Sequence, residues 1–105
     1  MPRYELRYFF DPGSGVCLWS ANDQARDTFG YDIDIHSLGL TENLCRKALH
    51  LIYWYDTSID WSYPGDPSPW SKEERARFAS EARGLLSELR NALGNEFEIR
   101  DETKA

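Results

Sequence analysis

Two cysteines, two histidines and eighteen acidic residues are the side chains of this 105-residue chain best suited to hold a metal, attack a carbonyl or exchange protons near neutrality. Their spacing points to none of those reactions. Cys17 and Cys45 form no Cys-x-x-Cys pair, and His50 follows Cys45 by five positions, which on an α-helix turns the two about 140° apart. His36 lies in a different segment, so both histidines are expected to be structural or solvent-facing. Asp32 and Asp34 would share one face of a strand, as carboxylates do in some metal sites, yet the pair reads better as a solvated polar edge. No Gly-x-Ser-x-Gly elbow and no caspase-like or papain-like context supplies a nucleophile, and Gly13-Ser14-Gly15 reads as a turn. Neither a Gly-x-Gly-x-x-Gly nor a Walker loop offers a phosphate cradle. Many carboxylate pairs are conceivable for general acid and base work, but none is singled out. The expectation is of no catalytic residue, no metal site and no cofactor.

The distinctive chemistry is charge gathered beside aromatic rings. Residues 27–70 hold seven acids (Asp27, Asp32, Asp34, Glu42, Asp56, Asp60, Asp66) against Arg46 and Lys47, which accounts for five of the six net negative charges of the chain. Within that region Tyr53, Trp54, Tyr55, Trp61, Tyr63 and Trp70 are six of the fifteen aromatics, interleaved with Asp56, Asp60 and Asp66 and with no Lys or Arg. Aromatics supply contact area with few rotors to freeze, Pro64, Pro67 and Pro69 lower the entropy lost on ordering, and carboxylates steer a basic partner and accept bidentate bonds from its arginines. Asp56, Asp60, Trp61, Tyr63 and Asp66 are therefore expected to form a partner-binding surface, with Asp32 and Asp34 as a second acidic patch. The competing structural reading assigns the aspartates to turns and caps and the rings to packing. It fits Tyr55, on the apolar face with Leu51 and Ile52, and Trp70, just before a helix cap; Tyr53 and Trp54 fit either role.

These groups must be held by elements legible in the pattern. Arg3 to Phe10 alternates, with Tyr4, Leu6, Tyr8 and Phe10 on one face, and Val16 to Trp19 reads as its return strand after the turn formers of residues 11–15. Ser20 and Asp23 have the form of a capping box for a short helix over residues 21–29, ended by Gly30, while residues 31–40 read as a loop with room for a short strand. A helix runs from the N-cap Thr41 to about Asp56, burying Leu44, Ala48, Leu51, Ile52 and Tyr55. Ser71 to Glu74 caps a second long helix carrying Phe78, Ala82, Leu85, Leu86, Leu89 and Leu93, with Gly94 as its stop. Phe97 and Ile99 mark a last strand before a polar tail from about residue 101. The predicted fold class is α+β: a small antiparallel or mixed sheet, the N-terminal hairpin plus a C-terminal strand, packed against two long helices, with one additional short helix.

Length and composition place residues 1–105 in a single domain, and 41% apolar residues exceed what a disordered polymer carries. A net charge of −6 argues against direct contact with nucleic acid or an anionic membrane and for a basic protein partner. Two cysteines suit a reducing compartment, the N-terminus lacks an apolar signal region, and no 18-residue apolar run exists, so the expected location is cytoplasmic.

Pro2 to Tyr8, Cys17-Leu18-Trp19, Phe29-Gly30-Tyr31, Tyr55 to Trp61 and Asp66 to Trp70 look like a group of small bacterial proteins usually left uncharacterised. In size and kind the chain also resembles the immunity proteins of contact-dependent growth inhibition and related polymorphic toxin systems. That resemblance implies a non-enzymatic cytosolic inhibitor that binds one toxin domain, often a nuclease such as a tRNase, and blocks its active site. The physics is compatible, since carboxylates and rings can occupy a basic cleft as phosphates and bases would. Two alternatives stand beside it: an adaptor or accessory subunit bound to another protein, and a small metal-dependent enzyme using clustered carboxylates.

Overall fold

The computed structural model describes residues 2–103. Alternation decides the first strand, β1 (Tyr4–Tyr8), which buries Tyr4, Leu6 and Tyr8 and turns Glu5 and Arg7 to the other face. Regular pairing ends at Tyr8, two residues sooner than the alternation predicts, although the ring of Phe10 still packs against that of Tyr8 at 5.4 Å. β2 (Leu18–Ser20) returns antiparallel, with Leu6 opposite Ser20 and Tyr8 opposite Leu18. Placing Ser20 in the sheet removes it from the cap expected of it. Its hydroxyl donates to the Gly30 carbonyl (2.6 Å), and Asn22 caps α1 (Asp23–Phe29) instead, accepting the Ala25 amide at 3.0 Å. The segment read as a loop contains the two-residue strand β3 (Asp32–Ile33), antiparallel to β2, and a 3-10 turn, Ile35–Leu38.

The two long helices begin where their caps predict. Thr41 accepts the Leu44 amide (3.2 Å) to open α2 (Glu42–Asp56), and Ser71 accepts the Glu74 amide (3.1 Å) to open α3 (Lys72–Leu93). α3 stops at Gly94, whose φ of +76° is strained for any residue with a Cβ. The helices run antiparallel, joined by the Lys47–Glu88 ion pair and by the Trp54 indole donating to Glu74 (2.9 Å).

β4 (Phe97–Asp101) pairs parallel with β1, Leu6 opposite Ile99, so the sheet is mixed with strand order β3-β2-β1-β4. One sheet face packs on α2 and α3 through Leu6, Tyr8, Leu18, Ile33 and Ile99, while the other carries Glu5, Arg7, Trp19, Asp32 and Arg100. The Tyr8 hydroxyl crosses the core to donate to the Ala82 carbonyl in the middle of α3 (2.8 Å). Arg90 donates to the Ile99 carbonyl (2.7 Å), fastening the far half of α3 to β4. Cys17 and Cys45 are buried free thiols.

Tyr8→Phe keeps the ring and deletes the buried bond, so it should cost about 1 kcal/mol in urea unfolding. Burial pushes the Cys17 thiol up to about 12 from an ordinary 9.0. The unfolded chain releases that proton first, so stability should fall as pH rises above about 9 toward 12, and Cys17→Ala should remove part of that slope in pH-dependent denaturation.

Candidate functional site

The C-terminal end of α2, the connection 57–70, the first turns of α3, the hairpin turn after β1 and the far end of β4 converge at one end of the fold. Their meeting point is an aromatic cluster centred on Phe78. Phe10, Trp54, Tyr55 and Trp70 each lie 5.1 to 5.3 Å from its ring, centroid to centroid. Tyr55 and Trp70 are thus packing residues, and Trp54 joins them. The Trp70 indole donates to the Thr57 hydroxyl (2.7 Å), closing the connection across its own ends.

Asp56 and Trp61 form a clasp on the hairpin turn. The Asp56 carboxylate accepts the Gly13 amide (2.9 Å), while its carbonyl accepts the Trp61 indole (2.9 Å). Trp61 lies so close over Gly13, whose φ is +82°, that a Cβ there would stand 3.3 Å from the ring. Asp60 accepts the amides of Ser62 (3.0 Å) and Tyr63 (3.4 Å), shaping the turn. Part of the expected contact surface therefore also holds the loop in shape. Trp61 nevertheless stays 57% exposed and Tyr63 68%, and Asp66 is exposed beside them.

Asp32 and Asp34 lie elsewhere. Asp32 pairs with Trp19 at the sheet's short edge, and Asp34 caps the Ile35–Leu38 turn by accepting the His36 amide (2.9 Å). That bond, helped by one from the His36 ring, holds the Asp34 carboxyl below the usual carboxylate range. The Cys45 thiol reaches the Ile35 carbonyl (3.9 Å), which sets this turn against the start of α2. About three helical turns, roughly 16 Å, separate it from the 57–70 connection. The Asp34 turn and the 57–70 connection therefore lie toward opposite ends of α2, while Asp32 is level in the sheet with Arg7, two strands away.

A family model described as Serratia CdiI immunity protein-like matches residues 5–101. The chain belongs to this family of immunity proteins. No curated protein matches it. Proteins of an immunity family bind and neutralise a cognate toxin, which is the general role that membership in the Serratia CdiI immunity protein-like family assigns to this chain. The matched span runs from the second residue of β1 to the last of β4, so it takes in the clasp, the aromatic cluster and both acidic patches.

Among the described residues no three His, Cys, Asp or Glu gather where they could hold a metal ion, and no helix is long and apolar enough to cross a membrane. Sequence reasoning missed a cleft of about 840 Å³ between the hairpin turn, the 57–70 connection and α3, because its walls come from segments far apart in the chain. It also missed that Tyr31, 5.5 Å from the ring of Trp19, is exposed, since its alternation with Ile33 and Ile35 pointed to a shared face while both isoleucines are buried.

Asp56→Asn retains an acceptor for Gly13 and should leave stability nearly unchanged, whereas Asp56→Ala deletes that bond and should cost about 1 kcal/mol. Urea unfolding followed by tryptophan fluorescence separates the two variants.

Proposed function

We propose that this chain is a non-enzymatic cytoplasmic inhibitor of a basic toxin domain, a nuclease of the tRNase kind, and that it covers the toxin's active site with the acidic, aromatic end built around residues 53–66. The observation that carries the reading is exposure: Tyr53, Trp61 and Tyr63 are three of the four large hydrophobic side chains left open to solvent among the described residues, and no Lys or Arg falls between them and Asp60 and Asp66 in the sequence. Scattered exposed apolar residues need no explanation, but Trp61 and Tyr63 beside carboxylates on a proline-stiffened loop, with Tyr53 near the end of the helix that leads into it, have the composition of a binding hot spot. A nuclease must present cations to phosphate, and a carboxylate-bearing surface competes for them. Asp32 and Asp34, outside the 53–66 segment, add to the negative field that accelerates encounter without sharing the central contact.

Tyr63→Ala and Asp66→Lys alter side chains with no packing role in the clasp. Against the toxin domain encoded beside its gene, Tyr63→Ala should raise Kd about tenfold or more. Asp66→Lys should slow association and flatten its salt dependence, as read by surface plasmon resonance at two ionic strengths. Unchanged kinetics in both folded variants would move the contact surface elsewhere.

A further inference from the structure

Resting on that reading, we propose that the 840 Å³ cleft is the anchoring hole of the interface, and that it takes an extended toxin segment bearing a large apolar side chain with a carboxylate next to it. The cleft is floored by rings that the core leaves unfinished. Of Phe10, Tyr55, Trp70 and Phe78, only Phe78 is fully buried, and the half-buried Ile59 and Ala79 complete an apolar lining. An aromatic cluster open on one side to a concavity of ligand size is the form in which anchor residues are received. Ile59 belongs to the same connection as Trp61 and Tyr63, so a partner resting on that loop lies at the rim of the cleft.

Charge selects the occupant. Arg7 is engaged, its guanidinium donating to Glu102 at 2.9 Å. Arg75, on the first turns of α3, lines the cleft and makes no ion pair among the described residues. A guanidinium beside an apolar floor is a fork for a carboxylate. Asp11, on the hairpin turn, also lines the cleft and repels a carboxylate placed beside it. The segment therefore enters with its acidic residue toward α3 and its cation, where it has one, toward the hairpin. The outer loop attracts a basic protein, while the cleft reads an acidic residue beside the anchor.

Ala79→Trp fills the cleft and Arg75→Glu reverses its cation. Arg77→Glu makes the same change in net charge about 200° around the helix from Arg75. Arg75→Glu is diagnostic because added negative charge should tighten general attraction to a basic toxin, whereas loss of the fork should weaken binding. With the toxin domain as titrant in calorimetry, Ala79→Trp and Arg75→Glu should each raise Kd at least about tenfold, and Arg77→Glu should not. Thermal melts certify folding, with Ala79→Leu as the smaller plug should the tryptophan unfold the chain. Unchanged affinity in both cleft variants, with Tyr63→Ala still weakened, overturns the cleft and leaves the interface reading intact. Weakening in the cleft variants with Tyr63→Ala and Asp66→Lys unchanged overturns the loop reading instead. No complex with the unmodified protein overturns both.

Discussion

The parallel pairing of β4 with β1 is the constraint from which the rest of this architecture follows. A parallel neighbour cannot be reached by a tight turn, so the chain must cross the length of the sheet before adding its last strand. α3 makes that crossing, antiparallel to β4, and α2 lies antiparallel to α3 through Lys47–Glu88 and Trp54–Glu74. Those directions bring the end of α2, the start of α3, the end of β4 and the hairpin turn to the same end of the molecule. The 57–70 connection is thereby laid over the hairpin, where Asp56 can hold the Gly13 amide.

What gathers there is partly core and partly surface. Phe78 belongs to the buried core, yet four rings around it remain half-buried, and Trp61 beyond them is both a strut against Gly13 and an exposed indole. A loop this rich in proline needs fixed points, and the clasp supplies them through one carboxylate, one carbonyl and one ring. The cost of ordering the segment is met on folding, so little is left to lose when a partner binds. On the proposed function, structural use of a residue here would not compete with its use in recognition; it would set the geometry in which recognition takes place.

The acidity is similarly divided. Asp56, Asp60 and Asp34 each accept backbone amides in turns or caps, which is why aspartate rather than glutamate fills these positions: its short side chain reaches the local backbone. Their charge nonetheless projects outward and adds to a field that acts over a distance of about a Debye length. On the proposed function, that field would speed the encounter with a basic toxin domain.

Local patterns were readable residue by residue. Thr41 and Ser71 cap the helices expected of them, Gly94 stops α3, and the apolar spacing from Phe78 to Leu89 marks the face that is buried, because each of these signals is carried within a few turns of backbone. Ser20 failed as a cap for the opposite reason: its place is set by a strand partner, Leu6, fourteen positions away. The sequence by itself determined the helices, the hairpin, the α+β class and the concentration of acid and aromatic residues between 27 and 70. Only the tertiary structure decided that β4 lies parallel to β1, that the Asp34 turn packs at the start of α2 and not beside the 57–70 connection, that Trp54 packs while Tyr53 faces solvent, and that a cleft opens beside Arg75. Each of those outcomes depends on contacts between segments tens of residues apart, and periodicity carries no information about which distant surfaces will meet.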